Sequence, residues 1–488
     1  MGAEVKFCPF RDGISAELPE NGGGEAIVGG AFEGYYRFRR DLQVKIGTLL
    51  KLDNVSFLIA AGCSLGAGGI TLSSIPYEIE RGLLDKGVRN GEAESRLKLF
   101  YTAIQAVSRA EVDKADGTRR AFLERLSGTN LEVSERASKL KDQQVPKGAA
   151  DSITSIALHS YLFPLNFECF LSTLYGWRFA LSSGVQDISL RETTGHVSAE
   201  LLKQLLETLK IGLVQACNLP KKGLAAKSHE NLLRKIMTRP ENLRRAKLFT
   251  LNYDTLLEKA ADAAGVILLD GFVGSLRRVF QPESFDYDFY FPGSTTEGRV
   301  HRLDRVAHLY KLHGSLNWHR EDPSPKNPYG IYSDSSPDPK ADAVIYPTPI
   351  KQELATGIPY SEMFRRLAYA VIQPQSVLFT IGYGFGDDHV NALVRQALLV
   401  PSFRLVIVDP NLQSQFAKNL IALGDPRVWL ITGCSPEDPI DGHPLGFGTF
   451  EGFVENVLPD LADEDMRQKI IRTFQSLAEH PAGDGLHD

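Results

Sequence analysis

Five short apolar runs, each closed by glycine or a small polar cluster, constrain this chain more than any other feature. They are Phe57–Ala61 before Gly62-Cys63-Ser64, Leu248–Leu251 before Asn252-Tyr253-Asp254, and Leu309–Leu312 before His313-Gly314. The other two are Val377–Ile381 before Gly382-Tyr383-Gly384-Phe385, and Leu405–Val408 before Asp409-Pro410-Asn411. Unalternating apolar runs of this length read as strands buried on both faces, as in a parallel sheet. Ligands of such sheets sit beyond the carboxyl ends of the strands. The polar clusters fall at those ends, so one pocket is expected to collect them.

Strand and helix patterns alternate from Leu248 to about Leu430, which predicts an α/β fold with a doubly wound, mostly parallel sheet. From about 76 to 247 the pattern is helical instead. Leu201, Leu202, Leu205, Leu206 and Leu209 share one helical face, and Phe167, Phe170, Leu171 and Leu174 share another. The expected organisation is an irregular, glycine-rich arm at 1–33, an α/β domain at 34–440 with a large helical insertion at 76–247, and a helical tail at 441–488. A short helix over 34–52 leads into the first strand. The Pro-, Ser- and Asp-rich stretch 320–341 reads as a surface loop.

At 488 residues with 43% hydrophobic side chains, the chain can bury a substantial core. No apolar stretch approaches the roughly 18 residues that span a membrane, and the first residues lack a secretory signal. A cytoplasmic protein is expected, with no membrane partner. The net charge of -6 argues against a general nucleic-acid binder. The segment 221–247 is locally basic and reads either as a solvated face or as a docking surface, so nucleic acid enters only indirectly. Cys8, Cys63, Cys169, Cys217 and Cys434 are scattered with no C-x-x-C pair, so no metal site and no zinc are expected.

Glycines in Ala61-Gly62-Cys63-Ser64 and Gly66–Gly69 would let backbone N–H groups approach a pyrophosphate, although the spacing matches neither G-x-G-x-x-G nor a Walker loop. Asn252 and Asp254, one residue apart at a strand end, suit a ribose hydroxyl or a water; Asp254 also suits a helix cap. His313, at a strand end before glycine, stands where a general base is wanted. His308 has the opposite strand parity and reads as a core or surface histidine, and His319 reads as a loop residue.

Taken in order, Ala61–Ser64, Asn252-Tyr253-Asp254, Leu312-His313-Gly314, Gly382–Asp387 and Asp409-Pro410-Asn411 resemble the sirtuin-type NAD-binding domain over roughly 50–435. The bacterial sirtuin-like branch is nearer than the protein deacylases, and Glu168 in Asn166-Phe167-Glu168 matches an acidic position of that branch. The resemblance implies a Rossmann-like, sirtuin-type sheet with NAD as substrate. Ala61, Gly62, Cys63 and Ser64 would then bind the pyrophosphate, and Asn252 and Asp254 would face the nicotinamide ribose. His313 would be the base. Gly382, Tyr383, Phe385 and Asp387 would line the phosphate and ribose region, and Asp409 and Asn411 the adenosine ribose. Catalysis would fall to Asn252 and His313.

Three departures separate the chain from the deacylase pattern. The four-cysteine zinc module after the histidine motif is missing. Thr71–Pro76 stands where Asp-Phe-Arg is usual, and Leu251 stands where Gln precedes the Asn. The resemblance therefore implies an NAD glycohydrolase, an NAD-depleting effector of bacterial anti-phage defence by abortive infection. It would be regulated by homo-oligomerisation or by a separate partner such as an ATPase of the HerA type. Two alternatives stay open: an NAD-dependent protein deacylase or ADP-ribosyl transferase, and a non-catalytic NAD or ADP-ribose sensor that gates a partner.

Overall fold

The computed structural model describes residues 7–8, 39–70, 75, 79, 167–184, 188–189, 196–220, 226–291, 301–335, 357–432, 446–463 and 466. The main sheet has eight strands: β1 (Phe7–Cys8), β2 (Asn54–Ile59), β3 (Lys247–Thr250), β4 (Ile267–Leu269), β5 (Val306–Lys311), β6 (Ser376–Ile381), β7 (Arg404–Val408) and β8 (Val428–Ile431). Their order is β1-β8-β7-β6-β2-β3-β5-β4, and all but β1 run parallel. The α/β, doubly wound reading holds. All five apolar runs became strands of this sheet, each displaced by one to three residues at its start.

Burial explains why. Every residue of β2 and of β6 is buried, so both faces must be covered. On one face Phe57 and Ile59 pack with helix α1 (39–50), α4 (Lys227–Ile236) and α5 (Leu256–Ala264). On the other, Leu58 and Ala60 join α6 (Tyr360–Val371), α7 (Asp388–Ala397) and α8 (Gln415–Ala422). Two-residue alternation along one strand thus sorts side chains between two cores.

Two ends of the chain differ from expectation. Phe7–Cys8, in the arm expected to be irregular, pairs antiparallel with β8. Phe447, Phe450, Phe453, Val457 and Leu461 are buried in the first core, so the described residues 446–463 of the expected tail pack as part of the sheet domain. Within the stretch expected as an insertion, α2 (Phe167–Ser182) and α3 (Ala199–Cys217) are helical and the pair Ile188–Ser189 and His196–Val197 forms a small hairpin. Residues 80–166 of that stretch lie outside the described residues.

The segment expected as a loop after Arg320 is partly sheet. Trp318–Arg320, Ile331–Ser333, Arg278–Phe280 and Phe272–Val273 form a four-stranded antiparallel sheet. His319 belongs to it and is buried rather than on a loop. Phe272 touches Phe280 and Trp318, with ring centroids 5.4 and 5.0 Å away, and Tyr329 packs on Phe280. Composition favoured a loop because most of the aromatics involved, Phe272, Phe280 and Trp318, lie outside the segment.

Three cations of the basic segment have structural partners. Arg239 donates to the carbonyls of Leu50, Leu52 and Arg244, Lys235 to those of Val454 and Leu458, and Arg245 pairs with Asp288. Arg239 and Lys235 thereby satisfy carbonyl groups at the ends of helices and in the turns beyond them.

Candidate active site

β2 lies between β3 and β6, the strands that begin the two halves of the sheet. This is the switch point of a doubly wound sheet, where the connections diverge and leave a crevice. The chain leaves β2 as a 3-10 helix, Ala61–Ala67, and leaves β6 through Gly382. The two turns touch. A Cβ on Gly62 would stand 2.6 Å from the Gly382 Cα, and one on Gly382 would stand 2.7 Å from the Cys63 nitrogen. Gly382 also has φ +62, which L side chains rarely adopt.

A cavity of about 280 Å³ opens beside these turns. It brings together Ala61, Ser64, Asn252, Asp254, His313, Gly382, Tyr383 and Asp387, eight of the residues singled out from sequence. Five others do not line it. Gly62 packs on Gly382, and Phe385 is buried in the second core. Asp409 and Asn411 sit one strand over, where the Asp409 carboxylate accepts from the amides of Asn411 and Leu412. Cys63 faces the first core, and its thiol lies 3.3 Å from the Ile381 carbonyl oxygen. Burial pushes that thiol well above its ordinary pKa, so it is no thiolate nucleophile.

The polar floor is a chain of hydrogen bonds. The Asn252 amide nitrogen donates to the Ala60 carbonyl at 3.1 Å and to Ser64 Oγ at 2.9 Å. Ser64 in turn donates to Asp254 Oδ2 at 2.7 Å, while Asp254 Oδ1 accepts from the Leu256 amide at the start of α5. A carbonyl can only accept, so the Ala60 contact fixes which way the amide of Asn252 points. Both of its N–H groups are used. Its Oδ1 is left to accept from a ligand hydroxyl or a water.

His313 closes the other side. Its Nε2 is 2.9 Å from Asp387 Oδ2, and its ring lies beside those of Tyr253 and Phe364. Beneath both loops, Lys311 is 2% exposed and donates to Glu258 Oε1 at 2.9 Å, to Ser315 Oγ at 2.7 Å and to the Asp254 carbonyl. One buried ammonium thereby ties the loop after β3 to the loop after β5.

Residues 246–411 match the family model of the SIR2-like domain. The chain carries a sirtuin-like domain. The match runs from the start of β3 to the turn after β7, and so contains Asn252, His313 and Asp387. SIR2-like domains take NAD as a substrate, and the sirtuin-like domain here presents its polar groups at the crevice where a dinucleotide would lie. The β2 strand and its turn fall outside the match, separated by the long stretch between Ile59 and Lys247, yet β2 pairs with β3. A search of curated proteins finds no match to the chain.

Sequence reasoning missed the apolar wall. Ile70 and Ile75 from the segment after the glycine turn, and Ala216 and Leu219 from the end of α3 and the turn beyond it, also line the cavity. Their type announces burial, and nothing local says what they bury against. Lys311 likewise gives no local signal, as a single polar residue inside an apolar run.

Proposed function

We propose that this protein is an NAD glycohydrolase, cleaving NAD to nicotinamide and ADP-ribose. The observation that carries the reading is the Asn252 side chain, held by Ala60 and Ser64 with its oxygen unspent, facing the cavity that His313 also lines. The bond broken joins a ribose carbon to a cationic pyridinium. Its electrons pass to the nicotinamide nitrogen, and positive charge gathers on the ribose. Asn252 Oδ1 would hold the attacking water by accepting one of its protons in a hydrogen bond. The water oxygen then bonds to the anomeric carbon, and its other proton goes to His313.

The apolar wall of Ile70, Ile75, Ala216 and Leu219 favours a neutral nicotinamide over the charged one, as an apolar cavity disfavours a cation. The departures at Thr71–Pro76 and Leu251, with the missing zinc module, support hydrolysis over peptide deacylation. An NAD-depleting effector in bacterial anti-phage defence is the role we infer, on the resemblance to the bacterial sirtuin-like branch. Control by self-assembly or by a partner ATPase would keep such an activity silent until needed.

The test is mass spectrometry of NAD incubated with the purified protein and no acceptor. Nicotinamide plus ADP-ribose is expected, with Asn252→Ala and His313→Ala lowering turnover by about a hundredfold or more. Persistence of NAD, or variants that consume it at the wild-type rate, would overturn the reading.

A further inference from the structure

His313 faces a carboxylate whose own position is fixed. Asp387 is buried and uses its two oxygens differently. Oδ1 accepts from the amides of His389 at 2.9 Å and Val390 at 3.3 Å, capping α7. Oδ2 sits 2.9 Å from His313 Nε2. The surrounding turn is braced. The Tyr383 hydroxyl lies 3.1 Å from the Asp387 carbonyl oxygen and from Asn391 Oδ1, and the Asn391 amide donates to the Phe385 carbonyl at 2.9 Å. A carboxylate cannot swing to suit the imidazole without breaking the helix cap, so the imidazole must suit the carboxylate.

A carboxylate only accepts, so the Nε2 that faces it must carry a hydrogen. A neutral imidazole has one hydrogen, which leaves the lone pair on Nδ1. The geometry points to Asp387 as the positioning residue that holds His313 in its Nε2–H tautomer and makes Nδ1 the atom that takes the proton. Resting on the hydrolase reading, this deepens the role of Asp387 from a nucleotide contact to the orienting partner of the base. When Nδ1 accepts the proton of the attacking water, the ring becomes an imidazolium, and the same carboxylate stabilises the charge through a shorter, charge-assisted bond. Orientation of an imidazole by a buried carboxylate is worth several powers of ten in other enzymes, and replacing the carboxylate by its amide chiefly spoils the tautomer.

The experiment pairs two readouts on the full chain. Nitrogen NMR of protein carrying 15N-labelled histidine, with His313→Gln to assign the ring, should show His313 protonated at Nε2 near neutral pH. In Asp387→Asn the amide oxygen can still cap α7, so the melting temperature should hold within a few degrees while the Nε2–H form loses its dominance. In the same variant kcat for NAD should fall about a hundredfold or more with KM within about threefold. Asp387→Ala, which removes the cap as well, should also melt lower. A wild-type ring protonated at Nδ1, an unchanged tautomer in Asp387→Asn, or an unchanged kcat would each overturn the assignment to catalysis. If the wild-type protein releases no nicotinamide, the hydrolase reading falls on its own, and the tautomer measurement still decides whether Asp387 orients His313.

Discussion

A methyl group decides whether the two glycine turns can meet. Gly62 and Gly382 come from strands more than three hundred residues apart, and their backbones occupy the space where each other's Cβ would stand. Backbone cannot move aside as the end of a flexible side chain can. Gly382→Ala should therefore cost about 1–3 kcal/mol, combining overpacking with a left-handed φ. It should also pry the turn bearing Ser64 away from the one bearing Asp387 and weaken NAD binding. Chemical denaturation and a binding titration would read the two effects. A variant with wild-type stability and affinity would show that the turns do not have to touch. The same scale explains two quiet residues. Cys63 occupies a turn beside the site but spends its thiol on the core. His308 is mostly buried with Nδ1 unpartnered, and burial holds its pKa down at about 4. The expectation of an ordinary core or surface histidine missed that cost.

Between elements, the tightest coupling runs through Lys311. Its ammonium at the end of β5 reaches Glu258 on α5 and the Asp254 carbonyl after β3, so three elements share one buried charge. Burying an ion pair stabilises little by itself, but breaking one leaves an uncompensated charge. Lys311→Met should lower stability by about 3–5 kcal/mol. Adding Glu258→Leu should restore much of that stability, while NAD turnover stays depressed because the Asp254 loop is no longer anchored. Thermal melts of the single and double variants, with turnover alongside, would check this. A single variant as stable as wild type would dismiss the ion pair as a brace. The small antiparallel sheet shows a different kind of cohesion. Phe272, Phe280 and Trp318 pack edge-on and tilted into the second core, and Arg277 lies 4.0 Å from the Tyr332 ring centre. Aromatic burial holds together a segment where sequence alone suggested an open loop.

For the molecule as a whole, acid should be destabilising through its buried histidines. His229 is 2% exposed, packs 4.7 Å from the Phe450 ring, and has its pKa lowered to about 4 by burial. His308 behaves alike. In the unfolded chain both titrate near 6.5. Between those values the unfolded state takes up protons that the folded state refuses, so stability falls as pH falls from about 6.5 toward 4, and is fully present above that window. Melting temperatures measured from pH 7 down to 4.5 should drop, and less steeply for His229→Gln, which cannot titrate. Parallel slopes for the two proteins would mean that His229 does not contribute to the acid sensitivity. His229 lies on α4, which joins the C-terminal chain to the sheet, so acid should loosen that junction first.

What the residues declared on their own was periodic and local. Apolar runs such as Phe57–Ile59 must be covered on both faces, helices such as α3 carry a stripe of leucines, and Asn252, His313 and Gly382 each follow the end of a strand. Those patterns are set by backbone geometry over a few residues, which is why the sheet and eight of the cavity's residues could be read without coordinates. Other features depend on contacts between distant parts of the chain. Ala216 and Leu219 close the cavity from an element far away in sequence, and Phe447–Leu461 belong to the first core although the chain has already left the last strand. The tautomer of His313 is set by Asp387 only because α7 begins where the β5 turn ends. A residue's neighbours along the chain carry its propensity, but which lone pair it offers, and to what, follows from partners that only folding brings within about 3 Å.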